Sequence, residues 1–274
     1  MSTRRRLHNN RGVALLIVLL VTALLIALIF EFAYGTRVSL RGAVNFRNSQ
    51  RAYFLARLGV KAFVEYGGEL RKLIPQGKGQ PLPLMGETDT EVSIKWEDET
   101  GKIRINDVKT EPTKSMVRNL FESVMKIDTA VCDRLIDQTS EVNRFVLLSE
   151  LHKYMTDEEY DKVSNFLTVS PVPPNKINVN AASSEVLQSF GLSQGAAELI
   201  IQGRQENAYT DVNLVPGISG SMISGSGSNY LMSSYMTVTS GAIFKVECDA
   251  KVGDYSRHVE AIINGKTISY WRAL

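Results

Sequence analysis

The chain has 274 residues, 44% of them apolar, which suffices for one or two packed domains and excludes a wholly disordered polymer. Its formal charge of +2 misleads as an average: residues 1–11 carry Arg4, Arg5, Arg6 and Arg11 and no acid, while the remainder holds 27 basic against 29 acidic residues. The positive balance belongs to one short head rather than to a nucleic-acid-binding surface, and the segment behind that head excludes an ordinary cytosolic enzyme.

That segment, Val13–Phe30, is 18 residues without a charge. As a helix it spans roughly 27 Å, close to the hydrocarbon thickness of a thin bilayer. It shows no polar face of helical period, so it is not an amphipathic surface helix. The arginines before it predict a cytoplasmic N-terminus, with the rest of the chain crossing outward. A cleaved secretory signal fits poorly, because the run is too long and Glu31–Gly35 is a weak cleavage site. A plain signal anchor remains open beside a third reading, which rests on Gly12. A basic leader ending in Gly directly before an apolar helix resembles the class III leader of type IV pilins and pseudopilins. The resemblance implies cleavage after Gly12 by a prepilin peptidase and methylation of the new N-terminal residue, Val13. The fifth mature position, which in most of that family is a Glu pairing with a neighbour's ammonium, is Ile17 here. In the family that absence is typical of the K-type minor pseudopilin, which has no subunit above it. A carboxylate inside the bilayer costs about 2.5–3.5 kcal/mol on insertion scales, so dropping it removes a cost together with a pairing group.

Residues 36–66 contain no Pro and continue as helix. Leu55, Leu58, Ala62 and Tyr66, with Ala52 and Gly59 beside them, predict a face that packs on a domain. Pro75, Gly77, Gly79, Pro81 and Pro83 end it in a loop. Val92, Ile94 and Trp96 alternate with polar residues, Asp98–Gly101 suits a turn, and Ile103 and Ile105 alternate again, which predicts a hairpin. The clearest strand is Phe244–Val252; Val259–Ile263 and Thr267–Trp271 follow it, with Gly253-Asp254 and Asn264-Gly265 as tight turns. Between the strand groups the spacing is helical: Val117, Leu120, Phe121, Val124, Ile127, Val131, Leu135 and Ile136, and less fully Leu147–Tyr154. Thr156-Asp157-Glu158-Glu159 reads as a helix start. Nine of the twelve residues from Gly217 to Ser228 are Gly or Ser, which predicts a flexible loop.

Residues 177–218 resemble a helix-hairpin-helix module, which elsewhere presents amides and lysines to DNA phosphates. This stretch holds Arg204 after Lys176, against Glu185, Glu198, Glu206 and Asp211, so it cannot supply much counterion release. The same Ile177-Asn-Val-Asn-Ala-Ala182 pattern resembles the helical insertion of K-type pseudopilins of type II secretion. In matching order, Asp98-Glu-Thr-Gly-Lys-Ile-Arg-Ile-Asn106 resembles that family's Asp-x-x-Gly-Lys-x-x-x-Asn segment. Tyr235–Ser240 and Phe244–Val246 resemble its return to the sheet, and Tyr270-Trp271-Arg272 its last strand.

The resemblance implies an α+β fold, with a long N-terminal transmembrane helix (residues 13–66, spanning over 13–30) packed on an antiparallel sheet. Residues 67–108 and 232–274 would form the α/β domain and residues 109–231 a large all-α insertion, helix-hairpin-helix or SAM-like, behind a leader of residues 1–12. It implies a non-enzymatic subunit that caps the tip of the type II pseudopilus and helps initiate its assembly for protein export. Its partners would be the I-type and J-type minor pseudopilins, the prepilin peptidase and the inner membrane, with contact to the secretin or cargo as a further family property; nucleic acid is not among them. A membrane-anchored helix-hairpin-helix protein binding DNA in competence, and a type IV pilus minor pilin, remain alternatives. Some family members bind calcium, but after Asp137 this chain reads Gln138-Thr139-Ser140-Glu141 where the family has an aromatic and acids, and no compact acidic loop appears. No metal or cofactor site is assigned. His8, His152 and His258 have no partner motif. Cys132 and Cys248 would meet an oxidising compartment; a disulfide between them and two buried free thiols are both open.

Overall fold

A computed structural model of the chain describes residues 10–82, 89–139, 144–170, 176–224 and 228–273. The leader arginines Arg4–Arg6, His8, Pro83, Ser140, Glu141 and residues 225–227 lie outside them.

A single helix, α1, runs from Asn10 to Leu73, with Arg71 and Lys72 in its last turn, where cations suit the helix dipole. Its backbone leaves helical geometry once, at Tyr66, and then resumes, so the helix passes the predicted end by one further segment. From Gly12 to Arg47 every residue is exposed; contact with the rest of the chain begins at Asn48 and Ser49.

Behind α1 lies a five-stranded antiparallel sheet of β1 (Gln80–Leu82), β2 (Thr90–Asp98), β3 (Ile243–Val252), β4 (Tyr255–Asn264) and β5 (Thr267–Ala273), in that spatial order. The inward set on β3 is Phe244, Val246, Cys248 and Ala250, as period-two alternation requires. Together with Val92, Ile94, Trp96, Val259, Ala261 and Ile263 it packs on Ala56, Val60 and Phe63 of α1. Phe63, Trp96 and Phe244 form a trio with ring centroids 5.8–6.2 Å apart, and Trp96 Nε1 donates to the Ile74 carbonyl at 2.8 Å.

The packed face of α1 differs from the predicted one. Leu58 and Tyr66 are exposed, and the buried line is Ala52, Ala56, Gly59, Val60 and Phe63. Close approach decides this: a Cβ on Gly59 would sit 2.3 Å from Cys248 Sγ, so the helix turns its small residues to the sheet.

The predicted 91–107 hairpin is not formed. One edge of β2 pairs with β1 and the other with β3, which leaves no edge for Ile103 and Ile105. Asp98 instead accepts from the Thr100 N–H, turning the chain out of the sheet, and Ile103-Arg104 pairs in parallel with Leu167-Thr168. The chain rejoins the sheet at β3.

The excursion between β2 and β3 carries its own core, built on Leu120, Phe121, Leu135, Leu151, Leu187, Phe190 and Ile200. Its helices are α2 (Thr113–Asn119), α3 (Thr129–Gln138), α4 (Asp157–Val163), α5 (Ser184–Ser189) and α6 (Gln194–Glu206). The long periodic run from Val117 to Ile136 is broken by a wide turn over Leu120–Val124 and a new start capped by Asp128. Thr156 and Glu159 form a reciprocal capping box at the start of α4. The flexible loop expected over Gly217–Ser228 falls partly on residues 225–227, outside those described; on either side of them Met222–Ser224 pairs antiparallel with Asn229–Leu231, and Ile223 is buried. Met236-Thr237 pairs with Ile177-Asn178 of the excursion rather than with the main sheet.

The sheet places this helical unit. Near the bare part of α1, Arg257 at the β3–β4 turn end donates to Ser49 Oγ at 2.7 Å. At the other end of the sheet, Gln76 just beyond α1 donates to the Ala181 carbonyl, and Asp98 and Phe244 stand at the strand ends there. The unit therefore joins the head at the end remote from Val13–Phe30.

Candidate functional site: a bare apolar helix and a clasped joint

Two features could carry function. The first is the unpartnered helix. The large apolar side chains between Val13 and Phe30 are 45–72% exposed, and the segment has a mean hydropathy of 3.3. Water does not tolerate such a surface; a bilayer or a bundle of like helices does. Thr22, the one hydroxyl in the span, donates to the Leu19 carbonyl, so its polar group is satisfied within the helix. Gly12 and Val13 lie in the first turns of α1, and Ile17 points outward with no charge beside it. Beyond the span, Phe46, Phe54 and Leu58 form an exposed apolar stripe flanked by Arg47 and Arg51.

The second feature is the joint between sheet and helical unit, where the two sequence patterns meet. Gly101 lies against the Ala181 backbone so closely that a Cβ there would be 2.5 Å from its carbonyl carbon. Asn178 donates to Asp98 Oδ2 and Thr100 Oγ1 at 3.4 and 3.5 Å. Asn180 donates to the Tyr209 and Val238 carbonyls at 2.9 and 2.8 Å and accepts from the Tyr209 N–H. Asn106 clasps Phe145 in the same two-way manner. The asparagines of both motifs are thus structural ties, a role that spacing alone did not disclose. Arg204 donates to the Val179 and Ala182 carbonyls, both at 2.6 Å, so the guanidinium nearest the hairpin is committed inside the protein rather than offered to phosphates.

Salt bridges extend this joint across the outer face of the sheet. Lys102 lies 2.8 Å from both Glu97 and Glu99; Lys95 bridges Glu97 and Glu247; Lys245 bridges Glu247 and Glu260. Lys102 and Glu99 are nearly buried, and the second Glu99 oxygen accepts from the Thr168 hydroxyl. Burial alone would raise the Glu97 pKa, but Lys102 and then Lys95 outweigh it and hold the carboxyl at about 2.

The cysteines are not bridged. Cys132 lies in the core of the helical unit, Cys248 in the core under α1, and both thiols are free. Burial pushes them up to about 11 and about 12, well away from the thiolate. A thiol reagent should therefore label neither in the native protein and both after unfolding; fast native labelling, or an intact mass two hydrogens light, would contradict this placement. His152 stacks on Tyr160 and pairs with Asp157, and His258 pairs with Asp249 at 2.7 Å. Among the described residues no group of three or more His, Cys, Asp or Glu is arranged to hold a metal ion.

Taken together, a long apolar N-terminal helix laid on an antiparallel sheet defines a pseudopilin-like fold. No family model matches the chain, and no curated protein does. A solved structure does: a chain of "the GspK-GspI-GspJ complex from enterotoxigenic Escherichia coli Type 2 Secretion System" matches with a TM-score of 0.65, covering 84% of this chain and 98% of that chain. The identity is 10%, so the likeness is one of fold.

Proposed function

We propose that this chain is a minor pseudopilin of the K type, seated at the tip of a type II secretion pseudopilus, where it helps initiate assembly. The observation that carries the reading is the position of the helical unit, joined to the head at the end remote from the membrane helix. A subunit stacked above would meet that bulk. At the other end, Val13–Phe30 is bare and uncharged, and Ile17 offers nothing to a neighbour's ammonium. On this reading the helix anchors the chain in the inner membrane with its N-terminus cytoplasmic and its head periplasmic, then packs into the filament core. The likeness to a chain of a three-subunit complex supports I-type and J-type minor pseudopilins as partners, and extends to neither cargo nor secretin.

Co-expression of the full chain with I-type and J-type minor pseudopilins should recover the three together from detergent. Recovery with type IV pilus subunits instead would overturn the reading, as would tight, salt-sensitive DNA binding in a gel shift. Co-expressed prepilin peptidase should remove residues 1–12 and leave a methylated Val13, read by intact mass. An uncut N-terminus, or a cut near Ala33, would remove the leader argument.

A further inference from the structure

The charge on the chain divides sharply along α1. Between Thr36 and Val64 there are six basic residues, Arg37, Arg41, Arg47, Arg51, Arg57 and Lys61, and no acid; residues 65–274 hold 21 basic against 28 acidic residues. A solvent-facing helix ordinarily compensates its cations with acids three or four residues away; Lys61 has Glu65 at that spacing, and the five arginines have none. Arg37 and Arg41 are exposed, neighbours on one helix face, and without an ion pair among the described residues.

Their heights distinguish them from the other cations. Phe30 ends the apolar run, and Phe32 and Tyr34, 78% and 72% exposed, follow where aromatic rings sit at a membrane–water boundary. Along the axis Arg37 is about 10 Å beyond Phe30, Arg41 about 16 Å and Arg47 about 25 Å. The polar layer outside the hydrocarbon is about 5–8 Å deep, and a long basic side chain bends back toward it. Arg37 therefore reaches the phosphates, and Arg41 lies within about one Debye length of the layer's outer edge. Arg47 lies beyond both.

We propose that Arg37 and Arg41 form a binding site for anionic phospholipid headgroups on the outward surface of the bilayer, holding the neck of the unassembled subunit against the membrane. This rests on the membrane-anchor reading above. An acidic face on a neighbouring subunit is the competing occupant, but it is not confined to the membrane surface and would engage cations further along the helix, Arg47 among them. A lipid surface selects only the two lowest cations.

The test is lipid selectivity of the full chain reconstituted in phosphatidylcholine bilayers, read by the spin-label spectra of phosphatidylglycerol and phosphatidylcholine probes at the protein boundary. The R37Q/R41Q double variant should lower the relative association of the phosphatidylglycerol probe about fivefold or more at low salt. R37K/R41K should keep it, and R47Q should match the native chain. Equal selectivity in the native chain and R37Q/R41Q would overturn the proposal, as would an equal loss in R47Q, which would favour an acidic protein partner. A chain immobilising neither probe would overturn the anchor itself, which separates that failure from this one. Helical content by circular dichroism confirms that the variants fold.

Discussion

Replacing Gly101 with alanine is expected to destabilise the head by about 3 kcal/mol or more, the upper range for forcing an atom into a packed interior. The reason is what a Cβ would meet. It would lie 2.5 Å from the Ala181 carbonyl carbon and 2.7 Å from its oxygen, and backbone cannot rotate aside as a side chain can. The chain leaves the sheet at this point, and Asn178 ties the two motifs together beside it. Relief of the clash therefore means moving the helical unit off the sheet. Thermal unfolding of the purified full chain should show a midpoint lowered by roughly 6–12 °C for a chain of this size. Gly195→Ala is the control: it lies in the first turn of α6 with no atom within 4 Å, and alanine there should be neutral or slightly stabilising. A Gly101→Ala chain melting with the native one would show that the joint is looser than its geometry indicates.

Replacing Lys102 with methionine should cost about 3–5 kcal/mol at neutral pH, because it strands carboxylates at a site nearly closed to water. Glu99 would keep its bond from Thr168 and lose its only ion pair among the described residues, while Glu97 would retain Lys95. The pH dependence gives the sign. In the native chain Glu97 titrates at about 2, below the ordinary 4.5, so its contribution is complete above 4.5 and is lost as pH falls toward 2. In Lys102→Met the Glu97 carboxyl loses the larger of its two compensating cations, so less of this acid-labile stability is left to lose. The native denaturant midpoint should therefore be level between pH 7 and 4.5 and fall below it, and that fall should be shallower in Lys102→Met. Parallel slopes would show that Lys102 does not compensate the pair.

Much of this architecture was legible in the residues because local rules dictated it. The uncharged run of Val13–Phe30, the alternation along β3 and the Thr156–Glu159 capping box each depend on neighbours in sequence. The predicted hairpin failed for a non-local reason: β3, far along the chain, already occupies the edge of β2 that Ile103 and Ile105 would have needed. The packed face of α1 was misread for a related one. Leu58 looks like a core residue by character, yet the sheet comes too close for it, and Gly59 and Ala56 take the contact. Composition measures local entropy and so gives no sign that Ile223, within the Gly/Ser stretch, is held by a core formed elsewhere in the chain.

The sequence by itself determined that one apolar helix stands apart from the head, that a sheet closes the chain, and that a helical block is spliced into it. Only the tertiary structure decided that the block joins the head away from the membrane helix, that Cys132 and Cys248 lie in separate cores, and that the two short motifs form one joint. The division has a physical cause. Hydrophobic periodicity and caps act over a few residues, while the joint depends on ties such as Asn178 to Asp98, separated by 80 positions. Contacts of that range exist only once the chain has folded.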